Sequence, residues 1–164
     1  MKQEEILQKL GRIAIFDELK EREGDLKRLL DIIKIKSYPK GAMIIREGDI
    51  GSEMYIVYKG SVEIQKQTRA GDTYTVVKLK AENDVFFGEI ALVDDDRRSA
   101  TVIATEDSEF LVLNKEDFLD LGKTNPEIAL PITRAIARIL ASRLRKTTMD
   151  MLTIFDALVN EIQS

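Results

Sequence analysis

The stretch from residue 86 to residue 101 holds the side chains best suited to chemistry. Gly88 precedes the carboxylate Glu89, an apolar run follows, and Arg98 comes after a short acidic loop. Gly88 allows a backbone conformation or a close approach that a side chain would block. A helical turn beginning here has free amides, which attract an anion. Arg98 would add a planar, two-pronged donor for the same anion, and Glu89 can accept a hydrogen bond from a hydroxyl.

The chain contains no cysteine and no histidine. Disulfides, thiol catalysis and thiolate metal sites are therefore excluded, and the commonest general base and metal ligand is missing. We expect no catalytic residue, no enzymatic activity, no metal and no cofactor. The triple Asp94-Asp95-Asp96 is interpreted as a solvated loop, because no other carboxylate stands at the spacing of a calcium loop.

The 164 residues suffice for one compact domain with its own core. The net charge of −4 argues against nucleic acid as a partner, since a phosphate backbone is normally met by a surplus of Lys and Arg. The N-terminus is charged every few positions, which does not fit a signal peptide, and no apolar run approaches the roughly 20 residues that cross a bilayer. We therefore predict a cytoplasmic protein that binds neither DNA nor membranes.

The chain divides into three zones that must position these residues. Residues 1–36 have apolar positions three and four apart, which predicts helices, and the same pattern returns over 115–164, with a kink or a fresh helix start at Pro131. Residues 37–114 contain six short runs rich in β-branched and aromatic residues, separated by turn residues, which favours a sandwich or barrel. The runs are Met43–Ile45, Met54–Tyr58, Ser61–Ile64, Tyr74–Val77, Ala100–Ile103 and Phe110–Leu113.

The stretch 86–101 resembles the phosphate-binding cassette of the cyclic-nucleotide-binding family, which includes the bacterial catabolite activator and the kinase regulatory subunits. The family pattern F-G-E-[IL]-A-L, a variable loop and R-[AST]-A-[TS] is matched by Phe87–Leu92 and Arg98–Thr101. A second family block also matches, at Gly41, Ile44-Ile45, Gly48-Asp49, Gly51, Met54–Val57, Gly60, Val62 and Ile64. The resemblance covers about residues 13–145. It implies a single α+β, mainly β domain over 1–164, a jelly-roll barrel flanked by N-terminal helices and a long C-terminal helix.

The resemblance also implies roles for single residues. Glu89 would accept from the ribose 2′-hydroxyl, Arg98 would pair with the cyclic phosphate, and the amides near Ile90 and Ala91 would bind the other phosphate oxygens. Ser99 would place a hydroxyl near the phosphate or the purine, which leaves cAMP and cGMP both open as ligands. The whole predicted ligand set is Gly88, Glu89, Ile90, Ala91, Arg98, Ser99 and Ala100.

The chain departs from the family pattern just before the cassette. Many relatives have glycine four or five residues before the glutamate, where this sequence has Asp84 and Val85 after Asn83. Because Asn and Asp tolerate left-handed conformations better than most residues, we expect the turn to survive.

The C-terminal helix is predicted to carry the signal by moving to cover the bound base. The covering segment is expected at 139–144, with Arg143 as the lid residue that stacks on or bonds the purine. Leu140, Leu144, Thr147, Met151, Ile154 and Leu158 alternate steps of four and three, which is typical of a coiled-coil seam. This predicts a homodimer through that helix, although the wide stripe is also compatible with folding back on the same domain. A downstream protein is a further predicted partner of this domain.

Four alternatives stand beside this interpretation. Glu89 and Arg98 could form an ordinary surface ion pair. The domain could be a degenerate, non-binding interaction or dimerisation module. It could be a regulatory fragment of a transcription factor, whose relatives carry a helix-turn-helix after the long helix, whereas this chain stops at Ser164. A cyclic-nucleotide phosphodiesterase is the weakest, because neither His nor Cys is available to hold a metal-activated water.

Overall fold

The computed structural model describes residues 2–95 and 97–163. Its N-terminal part consists of helix α1 (Lys2–Arg12), a 3₁₀ helix (Ala14–Leu19) and helix α2 (Glu23–Asp31). Helix was predicted up to residue 36, which is wrong from residue 33 onward, because Ile33–Tyr38 forms strand β1. Isoleucine and lysine alternate at the start of this strand, a period of two that suits an extended chain better than a helix.

Eight strands form two four-stranded sheets, in the orders β1-β8-β3-β6 and β2-β7-β4-β5. The remaining strands are β2 (Met43–Ile45), β3 (Glu53–Lys59), β4 (Ser61–Gln67), β5 (Thr73–Lys80), β6 (Phe86–Phe87), β7 (Thr101–Ala104) and β8 (Ser108–Asn114). Neighbouring strands pair antiparallel throughout the described residues. The predicted mainly-β architecture with flanking helices is thus confirmed, and each of the six predicted runs lies in or overlaps a strand.

Strand β3 lies between two hydrophobic cores, and its side chains alternate between them. Met54 and Ile56 pack with the helices, whereas Tyr55 and Val57 face the space between the two sheets. This alternation follows from the two-residue period of a strand. In the second core the rings of Tyr55 and Phe87 stack at 5.2 Å, and Phe110 meets both edge-on. Phe87 directly precedes Gly88, so the aromatic core anchors one end of the cassette.

The C-terminal part begins with helix α3 (Lys115–Thr124) and continues as helix α4 (Pro126–Gln163), which is 38 residues long. Asn114 caps α3 by accepting from the Glu116 amide at 2.8 Å. The predicted fresh helix start at Pro131 is wrong, because α4 begins at Pro126 and continues through that proline. Proline lacks the amide that would bond the carbonyl of Glu127. Arg22 donates to that carbonyl instead, at 3.1 Å.

Only the first half of α4 is packed on the domain. Ile128, Ile132 and Ile136 are fully buried. From residue 141 to residue 163 every side chain is exposed except Val159, which is half-buried. No helix in the described residues combines the length and the apolar character needed to cross a membrane.

Candidate ligand-binding site

A cavity of about 610 Å³ lies between the β4–β5 hairpin, the segment 86–102 and helix α4. Cavities of this size commonly hold small molecules. All eight residues predicted from the sequence line it, namely Gly88, Glu89, Ile90, Ala91, Arg98, Ser99, Ala100 and Arg143. The chain therefore brings together in space two segments of the cassette and one turn of a helix about 45 residues farther along.

Gly88 starts the 3₁₀ turn Glu89–Leu92 in the left-handed region, with a φ of 76°. A Cβ atom on Gly88 would lie 2.9 Å from Arg98 Nη1 and 3.0 Å from the Glu53 carbonyl oxygen, so both the conformation and the space require glycine. Within the turn the Ala91 amide donates to the Gly88 carbonyl at 3.1 Å. The Ala91 amide would have to share this bond in order to reach an anion.

Glu89 is a buried carboxylate with its side chain only 3% exposed. Arg143 Nη1 from helix α4 lies 2.5 Å from Glu89 Oε1, which makes an ion pair. No described residue donates a hydrogen bond of acceptable geometry to this oxygen. The charge of Glu89 is thus compensated, while a lone pair on Oε1 stays available to a donor such as a hydroxyl.

Arg98 is half-buried and is held by backbone carbonyls. Its Nη2 donates to the Glu53 carbonyl at 2.6 Å, and its Nη1 donates to the Gly88 carbonyl at 3.4 Å. Loss of solvation lowers the pKa of Arg98, against the nearby Tyr55, Glu53 and Glu89, which raise it. Arginine nevertheless stays protonated in proteins. Within the described structure no ion pair joins Glu89 to Arg98, so the alternative of a surface pair is wrong.

The carbonyl that holds Arg98 belongs to a residue fixed by its own side chain. The Glu53 carboxylate accepts from Lys36 Nζ at 2.7 and 2.9 Å and from the Tyr55 hydroxyl at 2.7 Å. Burial raises the pKa of Glu53. The hydrogen bonds from Lys36 and Tyr55 and the charge of Arg98 together lower it by more, so the net shift is downward. This network gives the guanidinium of Arg98 a rigid support.

A family model described as the cyclic nucleotide-binding domain matches residues 35–125, more than half of the chain. The chain belongs to this family.

Relatives support the assignment. The Cyclic AMP receptor protein of Thermus thermophilus is 34% identical over 137 residues, which cover 84% of this chain and 60% of that protein. The human cGMP-dependent protein kinase 2 is 39% identical over 97 residues, 58% of this chain and 13% of the kinase. The crystal structure of the Thermus thermophilus Catabolite Activator Protein superposes with a TM-score of 0.73 at 30% identity, covering 84% of this chain and 61% of that one. This cyclic nucleotide-binding domain thus spans only part of the proteins it resembles.

Sequence reasoning missed one apolar wall of the domain's cavity. Ile64, Val76, Val77 and Leu79 of the β4–β5 hairpin line it. In the hairpin Ile64 pairs with Val77 and the next residue of β4 pairs with Thr75, so Val76 is an extra residue in β5. Such a bulge re-aims side chains, which explains why two successive valines line the same cavity. The run of β-branched residues predicted the strand, but nothing in the run marked the bulge.

Further cavity residues lie on helix α4 around Arg143. Lys146, Thr147 and Asp150 stand three, four and seven residues after it, the spacing of one helix face, and all three line the cavity. This spacing could have identified them from the sequence. Thr147 was assigned to the dimer seam, so the seam and the cavity meet at this residue.

The segment before the cassette keeps a left-handed turn without glycine. Asp84 has a φ of 50° and a ψ of 47°, as expected for a residue type that tolerates this region. Its carboxylate accepts from Lys9 Nζ at 2.7 Å and from Arg12 Nε at 2.9 Å, so helix α1 is tied to the turn. Burial raises the pKa of Asp84, while the bonds from Lys9 and Arg12 lower it by more.

The acidic loop at 94–96 was interpreted from the sequence as a solvated loop. The described residues contain no cluster of three or more metal-binding side chains. Asp95 is exposed and pairs with Lys115 at 2.6 Å, while Asp94 lines the cavity. Asp96 lies outside the described residues.

Proposed function

We propose that this domain binds a cyclic nucleotide, cAMP or cGMP, and reports its presence through helix α4 without chemical change to the ligand. The observation that carries the proposal is that the cavity joins a buried carboxylate with a free acceptor site, Glu89, to a half-buried guanidinium, Arg98. A ribose hydroxyl and a phosphate need these two groups in one place.

The charge of the cavity favours an anion. Five cationic side chains line it in the described residues, namely Lys66, Arg97, Arg98, Arg143 and Lys146. Three carboxylates line it as well, at Glu89, Asp94 and Asp150. Each terminal nitrogen of Arg98 uses one N–H group on a carbonyl, so the second N–H group of each is available to a phosphate. The cyclic phosphate therefore lies against Arg98 and the turn that follows Gly88.

The base occupies the rest of the cavity, between the apolar hairpin wall and helix α4. Val76 and Val77 offer an apolar surface to a purine ring on one side, and Arg143 with Thr147 offers donors and a cation on the other. Ser99 also lines the cavity. Hydroxyls both donate and accept, so Ser99 and Thr147 suit adenine as well as guanine. The names of the relatives include both a cyclic AMP and a cGMP protein.

The contact between Arg143 and Glu89 connects the ligand to the helix. A 2′-hydroxyl that donates to Glu89 Oε1 shares the oxygen that Arg143 approaches at 2.5 Å. Ligand binding and the position of α4 are then linked, because a ligand shifts an equilibrium by its different affinity for the two states.

Calorimetric titration with cAMP and with cGMP tests the proposal. We expect saturable binding of at least one nucleotide, and a loss of about 100-fold or more in Arg98→Ala, since two charge-assisted hydrogen bonds contribute about 1.5–3 kcal/mol each. Arg69→Ala, which removes a charge from the exposed β4–β5 turn, is the matched control and should bind like the wild type. Absence of saturable binding in the wild type would instead support the non-binding interaction module. Recovery of intact cAMP after incubation is expected, and formation of AMP would establish a phosphodiesterase.

We further propose that the domain forms a homodimer through the exposed half of α4. Eight large apolar side chains there are more than half exposed, namely Leu144, Met149, Met151, Leu152, Ile154, Phe155, Leu158 and Ile162. A helix with so much exposed apolar surface is typical of an interaction site. The cytoplasmic location and the lack of DNA binding stay predictions from the sequence.

Two methionines give a matched test of this interface. Met151 lies in the predicted seam and Met149 outside it, and they are 65% and 62% exposed. By light scattering we expect the wild type and Met149→Arg at twice the chain mass of 18.6 kDa, and Met151→Arg at 18.6 kDa. A wild type of 18.6 kDa, or equal masses for the two variants, would contradict the dimer through this seam.

A further inference from the structure

Gly51 leaves space for the guanidinium of Arg98. A Cβ atom on Gly51 would lie 2.2 Å from Arg98 Nε, 2.6 Å from Nη2 and 2.7 Å from Cζ. These distances are far below van der Waals contact. Gly51 has no left-handed φ, unlike Gly48 and Gly88, so other residues can adopt its backbone conformation. Glycine is therefore required at position 51 for space and not for backbone conformation.

Backbone hydrogen bonds hold this segment against Arg98. The Gly48 amide donates to the Arg98 carbonyl at 2.9 Å, and the Arg98 amide donates to the Asp49 carbonyl at 2.8 Å. An isolated bridge pairs Ile50 with Arg97. The segment that carries Gly51 is thus in register with the strand-like stretch that carries Arg98, and the close approach follows from that pairing.

The guanidinium is enclosed on three sides. Gly51 covers it with bare backbone, the Glu53 carbonyl accepts from Nη2, and Gly88 stands against Nη1. Because each of these walls is backbone, the Arg98 side chain can donate to the carbonyls of Glu53 and Gly88 in only one position. A methyl group on Gly51 would occupy that position, and a flexible Arg98 side chain would yield to it by changing rotamer.

We propose that Gly51 is a positioning residue, which sets the orientation of Arg98 toward the phosphate of the cyclic nucleotide. The role rests on the proposed function, because the affinity effect requires Arg98 to bind the ligand. The affinity of the cassette for phosphate then depends on Gly51, which lies more than 30 positions before the cassette in the sequence. Gly51 does not need to contact the ligand itself.

A double-mutant cycle separates this role from a structural one. Gly51→Ala should reduce the affinity for the better-bound of cAMP and cGMP by about 10- to 150-fold, the effect of losing one charge-assisted hydrogen bond. In the Arg98→Ala background the same substitution should change the affinity less than about twofold, because no guanidinium remains to be displaced. Gly24→Ala is the control, since its Cβ would meet nothing within 4 Å, and should leave the affinity unchanged. Wild-type affinity in Gly51→Ala, or equal losses in both backgrounds, would overturn the proposal.

A second readout does not depend on the ligand. A crystal structure of Gly51→Ala should show the Arg98 guanidinium moved away from residue 51, with its bond to the Glu53 carbonyl broken. Its thermal midpoint should stay within about 4 °C of the wild type, because the strain is relieved by one flexible side chain. An unmoved guanidinium would overturn the role of Gly51 even where nucleotide binding is intact. A displaced guanidinium in a protein that binds neither nucleotide would overturn the proposed function alone.

Discussion

The buried carboxylate of Glu89 makes the ribose 2′-hydroxyl the most informative part of the ligand to remove. In 2′-deoxy-cAMP or 2′-deoxy-cGMP the phosphate and base are unchanged, but Glu89 Oε1 loses its donor. A hydrogen bond to a charged acceptor contributes about 1.5–3 kcal/mol, which corresponds to about 10- to 150-fold in affinity. Removal of the hydroxyl does not break the buried ion pair, which would cost more, because Arg143 pairs with Glu89 in the structure without a ligand. We therefore expect the wild type to bind the ribose ligand about 10- to 150-fold more tightly than its deoxyribose counterpart.

The same two sugars are then compared in variants of Glu89, which completes a cycle of ligand change and residue change. In Glu89→Ala the ribose and deoxyribose ligands should bind within about twofold of each other, because the acceptor is gone. Any rearrangement of Arg143 affects both ligands equally and cancels in their ratio. Glu89→Gln should discriminate less than the wild type, since a neutral acceptor contributes about 0.5–1.5 kcal/mol. Asp94→Asn changes an exposed carboxylate of the same cavity and should keep the wild-type ratio.

The assay is calorimetry, with competition against a tighter ligand for weak variants. Equal affinities of the wild type for both sugars would refute the assignment of Glu89 as the ribose acceptor. Undiminished discrimination in Glu89→Ala would refute it as well, because the selectivity would then come from another group.

Two further predictions concern stability. The pKa of Asp84 is lowered in the folded protein, so its ion pairs stabilise the fold above its ordinary pKa of 3.8 and lose that effect as the pH falls through the folded value. In urea unfolding between pH 6 and pH 3, Asp84→Asn should therefore lose less stability than the wild type, whereas the exposed Asp156→Asn should follow the wild type. Parallel curves of unfolding free energy against pH for all three proteins would contradict a stabilising role for the ion pairs of Asp84. Phe110→Ala should lower the free energy of unfolding by about 3–5 kcal/mol, because the ring is fully buried among other aromatic rings. Tyr74→Ala, at a side chain 51% exposed, should cost less than about 1 kcal/mol by the same measurement, and similar losses at the two positions would refute this account of the core.

Local patterns in the sequence predicted most of the fold. The β-branched runs became strands, and the return of helical spacing after Asn114 became α3 and α4. The two missed strands have different causes. Strand β1 followed a helical pattern without a glycine or proline between them, and β6 is only two residues long. Pairing with β8 and β3 decides these strands, and pairing partners distant in the chain leave no local signal.

The candidate site was predictable as a set of residues but not as a set of contacts. Glu89 and Arg98 were chosen as a pair because of their types and spacing, yet each has another neighbour in the structure. Arg98 is held by carbonyls, which every residue possesses and which therefore cannot be read from side-chain types. Arg143 was predicted to cover the base, whereas its ion pair with Glu89 depends on how α4 crosses the cavity. The bulge at Val76 likewise depends on the register of two strands.

Helix α4 is continuous, so a small tilt near the cavity produces a larger displacement at its C-terminal end. Arg22 satisfies the carbonyl that Pro131 leaves free, and the helix continues from the core to Gln163. At about 1.5 Å per residue the tip lies about 30 Å beyond Arg143. A tilt of about 10° at the cavity then displaces the tip sideways by about 5 Å. In the proposed mechanism a small tilt of α4 beside Glu89 therefore becomes a displacement of several ångströms at its C-terminal end, where the proposed dimer interface lies.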